Sequence, residues 1–249
     1  MKSGFSGQLA AWRKQRRLSQ LALALDADVS ARHVSFLETG RAAPSRAMVL
    51  RLAEAMDMPL AARNALLGGA GFAPLYANRK ADDAEIAMVR AAMQRIIDRH
   101  DPYPAFILDR HWRLMAANGA GKGMMALFKL SDGDSLLEAM MTSEARALFD
   151  NWPDVVRHTI ARLKTESAYL GGDPILDGAI AALRDQQGEA AGPLAAVMPA
   201  RYRWGGQVLS FFSVIAQIGA ADDIALADLK IEMLFPADAP TKAMLEAAN

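Results

Sequence analysis

SQLALALDADVSARHVSFLETGR, residues 19–41, predicts two short helices joined by a tight turn. Apolar residues at helical spacing mark both helices, with Leu21, Ala24 and Leu25 on one face of the first, and an acidic break separates them. Ser30 is a favourable N-cap for the second helix, because its hydroxyl can accept a bond from an unpaired backbone N–H. That helix turns Val34 and Leu37 inward and ends at Gly40, a residue typical of the position after a helix.

The second of these helices is expected to project from the surface. Two helices joined by so short a turn cross steeply, so the polar face of the second one points outward. This face carries Ala31, Arg32, His33 and Ser35. A protruding helix of this kind fits the major groove of duplex DNA.

Length and composition narrow the class of protein. The chain has 249 residues, of which 52% are hydrophobic, enough for one large or two ordinary domains with real cores. Cysteine is absent, which excludes disulfides and thiolate metal sites. No apolar run approaches the ~20 residues of a membrane span, and the first residues lack the order of a signal peptide. A cytoplasmic protein with no membrane partner is therefore expected.

The charge is divided unevenly along the chain. Residues 1–70 hold ten basic and five acidic residues, whereas the remainder holds 18 basic and 23 acidic ones. A basic first part suggests contact with a polyanion. Its predicted first helix, Gln8 to Arg17, carries Arg13, Lys14, Arg16 and Arg17. This basic run is either a solvated face or a set of phosphate contacts, and the sequence does not decide between these two interpretations.

The first 67 residues predict an all-α domain of five short helices. After residue 41, Pro44 stops one segment and Ser45 can cap the next helix. Apolar residues at helical spacing continue this helix until Pro59, and one further helix ends near Leu67.

Residues 8–67 resemble the helix-turn-helix domain of the xenobiotic-response-element family. The likeness runs through R-L-S-Q at 17–20, F-L-E-T-G-R at 36–41 and P-S at 44–45. It implies a structural pair between Arg13 and Glu38, and a turn at Asp28, where the family often has Gly. Asp tolerates the left-handed conformation that such a turn needs. The implied DNA contacts are Ser19, Gln20, Ser30, Ala31, Arg32, His33, Ser35, Arg41 and Ser45, with Arg32 as the best reader of bases.

Residues 68–83 predict a linker or hinge, because they combine glycines, a proline and a charged end. Within this segment Phe72, Leu75 and Tyr76 favour burial over a free linker.

The remainder, residues 84–249, predicts an antiparallel sheet of about five strands with helices on one side. A helix is expected over Ala84 to Arg99, and helices fill most of 134–188. Alternating or short apolar runs mark the strands, at Ala105–Leu108, around Trp112–Ala117, and at Ala200–Trp204, Gln207–Gln217 and Ala227–Phe235. The whole chain is therefore α+β, an all-α domain followed by a sheet domain.

The second domain resembles a PAS-like sensor and, more specifically, the ligand-binding domain of the MmyB-like transcription regulators. The run Pro102–Asn118, the preceding G-F-A-P and the later L-F-D-N-W at 148–152 carry this likeness. It implies a small hydrophobic ligand, for which a fatty acid is the best candidate.

No enzyme signature appears: G-x-G-x-x-G, the P-loop, H-E-x-x-H and G-x-S-x-G are all missing. No catalytic residue, cofactor or metal is expected. The positive signal is a group of methionines among other apolar residues, which either fill an ordinary core or line a ligand pocket. The predicted pocket residues are Phe106, Leu108, Trp112, Met124, Phe128, Trp152 and Phe211. Arg113, Arg201 and the Tyr202 hydroxyl remain alternative anchors for a carboxylate head group.

These patterns together predict a sequence-specific DNA-binding transcription regulator whose ligand modulates operator binding. A homodimer is expected, because one small DNA-binding domain binds weakly and two half-sites strengthen the complex. The alternative is a helix-turn-helix adaptor whose second domain only dimerises or binds a protein.

Overall fold

The computed structural model describes residues 4–80, 83–187, 197–219 and 222–247, so residues 81–82 of the predicted linker lie outside it. The chain forms two compact units. The first comprises Met1–Asn78, Thr165–Asp173 and Asp222–Ile224, and the second comprises Arg79–Lys164, Pro174–Ala221 and Ala225–Asn249. None of the helices in the described ranges is both long and apolar enough to cross a membrane.

Five helices lie in the described range 4–78, as the sequence predicts. They are α1 Phe5–Gln15, α2 Gln20–Asp26, α3 Ala31–Glu38, α4 Arg46–Ala55 and α5 Leu60–Gly69. Helix α1 begins three residues before the predicted start at Gln8, because Phe5 is buried and extends the apolar stripe that Leu9 continues.

Serine side chains cap three of these helices. The hydroxyls of Ser19, Ser30 and Ser45 accept the backbone N–H of Ala22, His33 and Met48 at 3.0, 3.1 and 3.2 Å. The turn between α2 and α3 passes through Asp28 at φ +50°, and Gly40 follows α3 at φ +71°. The left-handed turn thus forms with aspartate in the place where glycine is common.

Helix α2 turns a different face to the core than its apolar pattern suggests. Leu23 and Ala24 are buried, whereas Leu21 is 61% and Leu25 is 72% exposed. Of the predicted apolar face of Leu21, Ala24 and Leu25, Ala24 is therefore buried, and the prediction is wrong for the two leucines. Apolar residues occupy both sides of this short helix, so spacing alone could not select the buried side.

The segment after α5 is fastened to that helix. The Asn64 side-chain oxygen accepts the N–H groups of Leu75 and Tyr76 at 2.9 and 3.0 Å, and its amide donates to the Tyr76 carbonyl at 2.7 Å. Phe72 packs against the helical core, whereas Leu75 stays exposed. Of the three linker residues that were expected to be buried, Leu75 is thus the exception.

The remaining chain contains eight helices and five strands within the described ranges. In order they are α6 Ala84–Asp98, β1 Ala105–Leu108, β2 Leu114–Ala117, α7 Gly119–Leu127, α8 Leu136–Met140, α9 Ser143–Leu148, α10 Trp152–Leu170, α11 Pro174–Arg184, β3 Ala200–Trp204, β4 Gln207–Gln217, α12 Ile224–Ala227, β5 Lys230–Pro236 and α13 Ala239–Ala247.

The strands form one antiparallel sheet in the order β2-β1-β5-β4-β3. The register pairs Phe106 of β1 with Glu232 of β5, and Glu232 in turn lies opposite Ile215 of β4. Strand β5 begins three residues later than predicted, because Ile224–Ala227 forms a short helix instead.

Both faces of this sheet are covered, so the prediction of helices on one side is wrong. Phe106 belongs to a core cluster with Phe211 on one face. Its neighbour Ile107 belongs to another cluster, with Ile231 of β5 and Ile97 of α6. Successive residues of a strand point to opposite faces, so α6 covers the face opposite the one that carries Phe106.

Candidate DNA-binding surface and ligand cavity

Helix α3 presents an exposed arginine that an aromatic ring supports. Arg32 is exposed on its first turn, and its guanidinium carbon lies 5.2 Å from the centre of the Phe36 ring. The guanidinium carbon of Arg41 lies 6.0 Å from the same ring. Phe36 therefore contacts both cations. The sequence prediction did not include it, although its place four residues after Arg32 puts the two on one helix face.

The other α3 residues predicted to contact DNA lie beside Arg32. Ala31, His33 and Ser35 are each partly exposed. The structure thus brings the four predicted groove-facing residues together on one short helix.

The capping serines lie where helix N-termini meet solvent. Ser19, Ser30 and Ser45 are exposed, and each uses a hydroxyl lone pair for its cap bond. A hydroxyl that accepts one bond can still donate its proton. Helix N-termini attract anions through their aligned N–H groups and dipole, so these three positions suit phosphate oxygens.

A charged network joins α1, α2 and α3. The Arg13 Nε and Nη2 atoms donate to the two Glu38 oxygens at 2.6 and 2.9 Å, and the Gln20 amide donates to Glu38 Oε2 at 2.7 Å. The Glu38 side chain is only 6% exposed. Burial opposes its ionisation, but the hydrogen bonds from Arg13 and Gln20 and the nearby positive charge outweigh that effect and lower the pKa of Glu38. Gln20, a predicted phosphate contact, thus has one amide proton already engaged.

The basic run on α1 divides into two kinds of residue. Arg16 donates to the carbonyls of Met56 and Asp57 at 2.8 and 2.9 Å, and its guanidinium lies 5.2 Å from the Trp12 ring. Lys14 and Arg17 are exposed. The interpretation of this basic run as phosphate contacts therefore does not extend to Arg16, which connects α1 to the end of α4.

A cavity of about 130 Å³ lies between the sheet and the helices of the second unit. Five of the seven predicted pocket residues line it: Phe106, Trp112, Met124, Phe128 and Phe211. The other two do not. Leu108 is buried in the packed core, and the ring of Trp152 packs 5.3 Å from that of Phe149.

One side of the cavity is charged. Arg162 Nη1 lies 3.1 Å from each oxygen of Glu232, and each of the two side chains is 14% exposed. The Arg162 guanidinium also lies 4.1 Å from the Trp112 ring, while the Lys230 ammonium lies 4.8 Å from it. An ion pair that is mostly removed from water is strongly coupled, because loss of either partner leaves the other charge poorly solvated.

Tyr202 is a further polar residue on the wall, which also includes His158, Thr159 and Ser213. Burial, with a smaller effect of the Glu232 carboxylate, raises the pKa of the Tyr202 hydroxyl above its ordinary value of 10.0, so the group is protonated at neutral pH. The other two proposed head-group anchors do not line the cavity. Arg113 donates to the Gly133 carbonyl at 3.0 Å, and Arg201 pairs with Asp150 at 3.0 Å.

Sequence comparison identifies the family to which this arrangement belongs. A family model described as MmyB-like transcription regulator ligand binding domain matches residues 89–248. The chain belongs to the MmyB-like transcription regulators. A second family model, described as Helix-turn-helix, matches residues 9–62. Neither description names a catalytic activity. No curated protein matches the chain.

The charged pair of this MmyB-like cavity was missed at the level of sequence. Two signals point to it. Glu232 is a lone acid in the otherwise apolar centre of β5, where an unpaired charge would be costly. Arg162 follows Val155 and Thr159 at helical spacing on α10, so it shares their inward face. Among the described residues of this regulator, no group of three His, Cys, Asp or Glu side chains could hold a metal ion.

Proposed function

We propose that this MmyB-like regulator binds a specific operator through residues 1–67, and that a small hydrophobic ligand bound by residues 84–249 changes its operator affinity. Residues 68–83 form the linker in this proposal. The observation that supports it most directly is the pairing of an exposed, ring-supported Arg32 with an apolar cavity elsewhere in the same chain.

Arg32 is the proposed base-reading residue. A guanidinium can donate two hydrogen bonds to O6 and N7 of guanine, which gives about 1–3 kcal/mol of discrimination. Contact with Phe36 limits the orientations of the side chain, so less freedom is lost on binding. The proposed phosphate contacts are Ser19, Gln20, Ser30, Arg41 and Ser45, while Ala31, His33 and Ser35 accompany Arg32 in the groove.

The cavity supports an amphiphilic ligand, for which a fatty acid is our best candidate. Its walls are mainly apolar, and its polar lining residues include the Arg162–Glu232 pair and Tyr202. A carboxylate head would accept hydrogen bonds from the protonated Tyr202 hydroxyl and from the Arg162 guanidinium.

We further propose a homodimer on DNA. A single helix-turn-helix domain contacts one half-site, and a two-fold symmetric pair contacts two half-sites about 34 Å apart or a multiple of that distance.

Selection of operator DNA from a random duplex pool tests the DNA-binding part. The wild-type protein should enrich one sequence, and Arg32→Ala should lose this selectivity while it keeps weak, salt-sensitive binding. Arg95→Ala, which removes an exposed arginine from α6, is the charge-matched control and should select as wild type does. Unchanged selectivity in Arg32→Ala would refute the assignment of that residue.

A further inference from the structure

A second and larger cavity adjoins the first. Its volume is about 420 Å³, whereas the first measures about 130 Å³. Met124 and Phe211 line both cavities and therefore form the partition between them. Cavities that bind drug-sized molecules usually measure about 300–1,000 Å³, and one of about 150 Å³ holds a guest the size of benzene. The first cavity alone is thus too small for a long apolar ligand.

The two cavities differ in chemistry. The first contains the Arg162–Glu232 pair on its wall. In the second, the charged lining residue among those described is Asp101, and its Oδ1 atom already accepts the Ala120 N–H at 3.1 Å. The rest of the second wall is mainly apolar and includes Met244 and Leu245 of α13. A molecule with one polar end and one apolar end matches a first cavity with a charged pair and a second cavity with mainly apolar walls.

The partition contains one movable side chain. Met124 is unbranched and has several rotatable bonds, so it can change rotamer at low cost. Phe211 is held within β4, in register with Ala200 of β3 and Pro236 of β5. Met124 is therefore the side chain of this partition that can move aside.

We infer that the ligand occupies both cavities: its polar end lies at the Arg162–Glu232 pair, and its apolar chain passes Met124 to end beneath α13. This inference rests on the proposed function, because it concerns the ligand of that same domain. It assigns the second cavity as the site that selects for chain length. It also assigns α13 as the wall that sets the longest chain accepted.

Helix α13 is well anchored for this role. The Ser210 N–H donates to Thr241 Oγ1 at 2.9 Å, and the Tyr103 hydroxyl donates to Glu246 at 2.9 Å. Leu245 is partly exposed and lies on the wall of the second cavity only. A larger side chain at Leu245 should therefore shorten the second cavity and leave the polar end of the first unchanged.

Calorimetric titration of the full chain, stripped of bound lipid, tests the inference. The probes are hexanoate, decanoate and tetradecanoate, with the primary alcohols of the same lengths as a second series that lacks the head-group charge. Each newly buried methylene should raise affinity about fourfold, so the wild-type affinity should rise through tetradecanoate. Leu245→Trp should weaken tetradecanoate about tenfold or more and leave hexanoate within about twofold. Met88→Trp, on the exposed surface of α6, is the matched control and should bind like wild type.

The outcomes separate this inference from the proposed function. Equal wild-type affinity for all three lengths, or tetradecanoate binding that Leu245→Trp does not weaken, would overturn the two-cavity inference and leave ligand binding intact. Failure of every probe in both series would overturn ligand binding itself. Retained hexanoate binding shows that Leu245→Trp is folded. If this variant does not fold, Met244→Trp changes the adjacent residue of the same wall and makes the same test. The dependence of wild-type affinity on chain length also tests the two-cavity inference without any variant.

Discussion

Glu38 connects α1, α2 and α3 through side-chain hydrogen bonds. Arg13 and Gln20 reach it from two different helices, and Glu38 itself ends the helix that carries Arg32. The lowered pKa of Glu38 means that the folded state, through Arg13 and Gln20, stabilises the ionised carboxylate more than water does in the unfolded state. A group with a lowered folded pKa contributes stability above its unfolded pKa and loses it as the pH falls.

Acidification should therefore destabilise the folded state through Glu38. The loss begins as the pH falls below the ordinary value of 4.5 and is complete below the folded pKa. Glu38→Gln should lower the free energy of unfolding at neutral pH by about 1–3 kcal/mol and flatten its dependence on acidic pH. Urea unfolding of both proteins across the acidic range measures the effect. Identical slopes against pH would show that Glu38 is not the responsible group.

Residue pairs distant in sequence mark the limit of prediction at this scale. The Arg13–Glu38 pair was anticipated only through the family resemblance, because 25 positions separate its members. Local signals place Arg162 and Glu232 each on an inward face, but none of them pairs the two residues, which are 70 positions apart. Five cavity residues were nevertheless predictable, because large apolar side chains on a strand and a neighbouring helix are usually buried between them.

At the scale of elements, the junction of β1 and α7 is unusually close. The Asn118 side-chain oxygen accepts the N–H groups of Ala105 and Gly121 at 2.9 and 2.8 Å, and its amide donates to the Tyr103 carbonyl at 2.9 Å. A side chain at Gly121 would place its Cβ 2.7 Å from the Ala105 carbonyl oxygen. The first turn of α7 can approach β1 only because residue 121 is glycine.

Gly121→Ala should lower the free energy of unfolding by about 1–3 kcal/mol, because backbone atoms must move to admit the methyl group. Gly123→Ala is a matched control in the same helix, since its Cβ meets no atom within 4 Å. That variant should be neutral or more stable by up to about 1 kcal/mol, because alanine favours the helix. Chemical denaturation compares the two variants, and equal effects would argue against the close approach at Gly121.

Element boundaries were more predictable than packing. The bounds of β1, β3 and β4 agree with those expected from the sequence, because alternation and turn residues are local signals. The second covered face of the sheet was not predicted. Met115 and Ala116 read as ordinary strand residues, and only tertiary contact shows that they pack in the cluster formed with α6.

At the scale of the whole molecule, the proposed regulation requires a difference in ligand affinity between two states of the protein. A ligand shifts DNA affinity only by its preference for one state, and the DNA shifts ligand affinity by the same factor. Typical coupling of about 1–3 kcal/mol corresponds to a change of about 5–150-fold.

Saturating tetradecanoate should therefore change operator affinity within that range, measured by fluorescence anisotropy of a labelled duplex. Operator DNA should change tetradecanoate affinity by an equal factor. Arg162→Met removes one partner of the polar pair, so tetradecanoate should affect its DNA binding less. If operator affinity is the same with and without bound tetradecanoate, the second domain does not sense this ligand class, and the adaptor alternative is favoured.

Two of the four tryptophans stand at the cavities, Trp112 on the wall of the first and Trp204 on the wall of the second. Indole emission shifts in wavelength and intensity when nearby charge or water changes, and the Trp112 ring has both Arg162 and Lys230 beside it. A guest that enters the first cavity should therefore alter the Trp112 emission, and a chain that reaches the second cavity should alter that of Trp204. The intrinsic fluorescence of these two tryptophans can therefore report how far a ligand extends through the cavities, without an added dye.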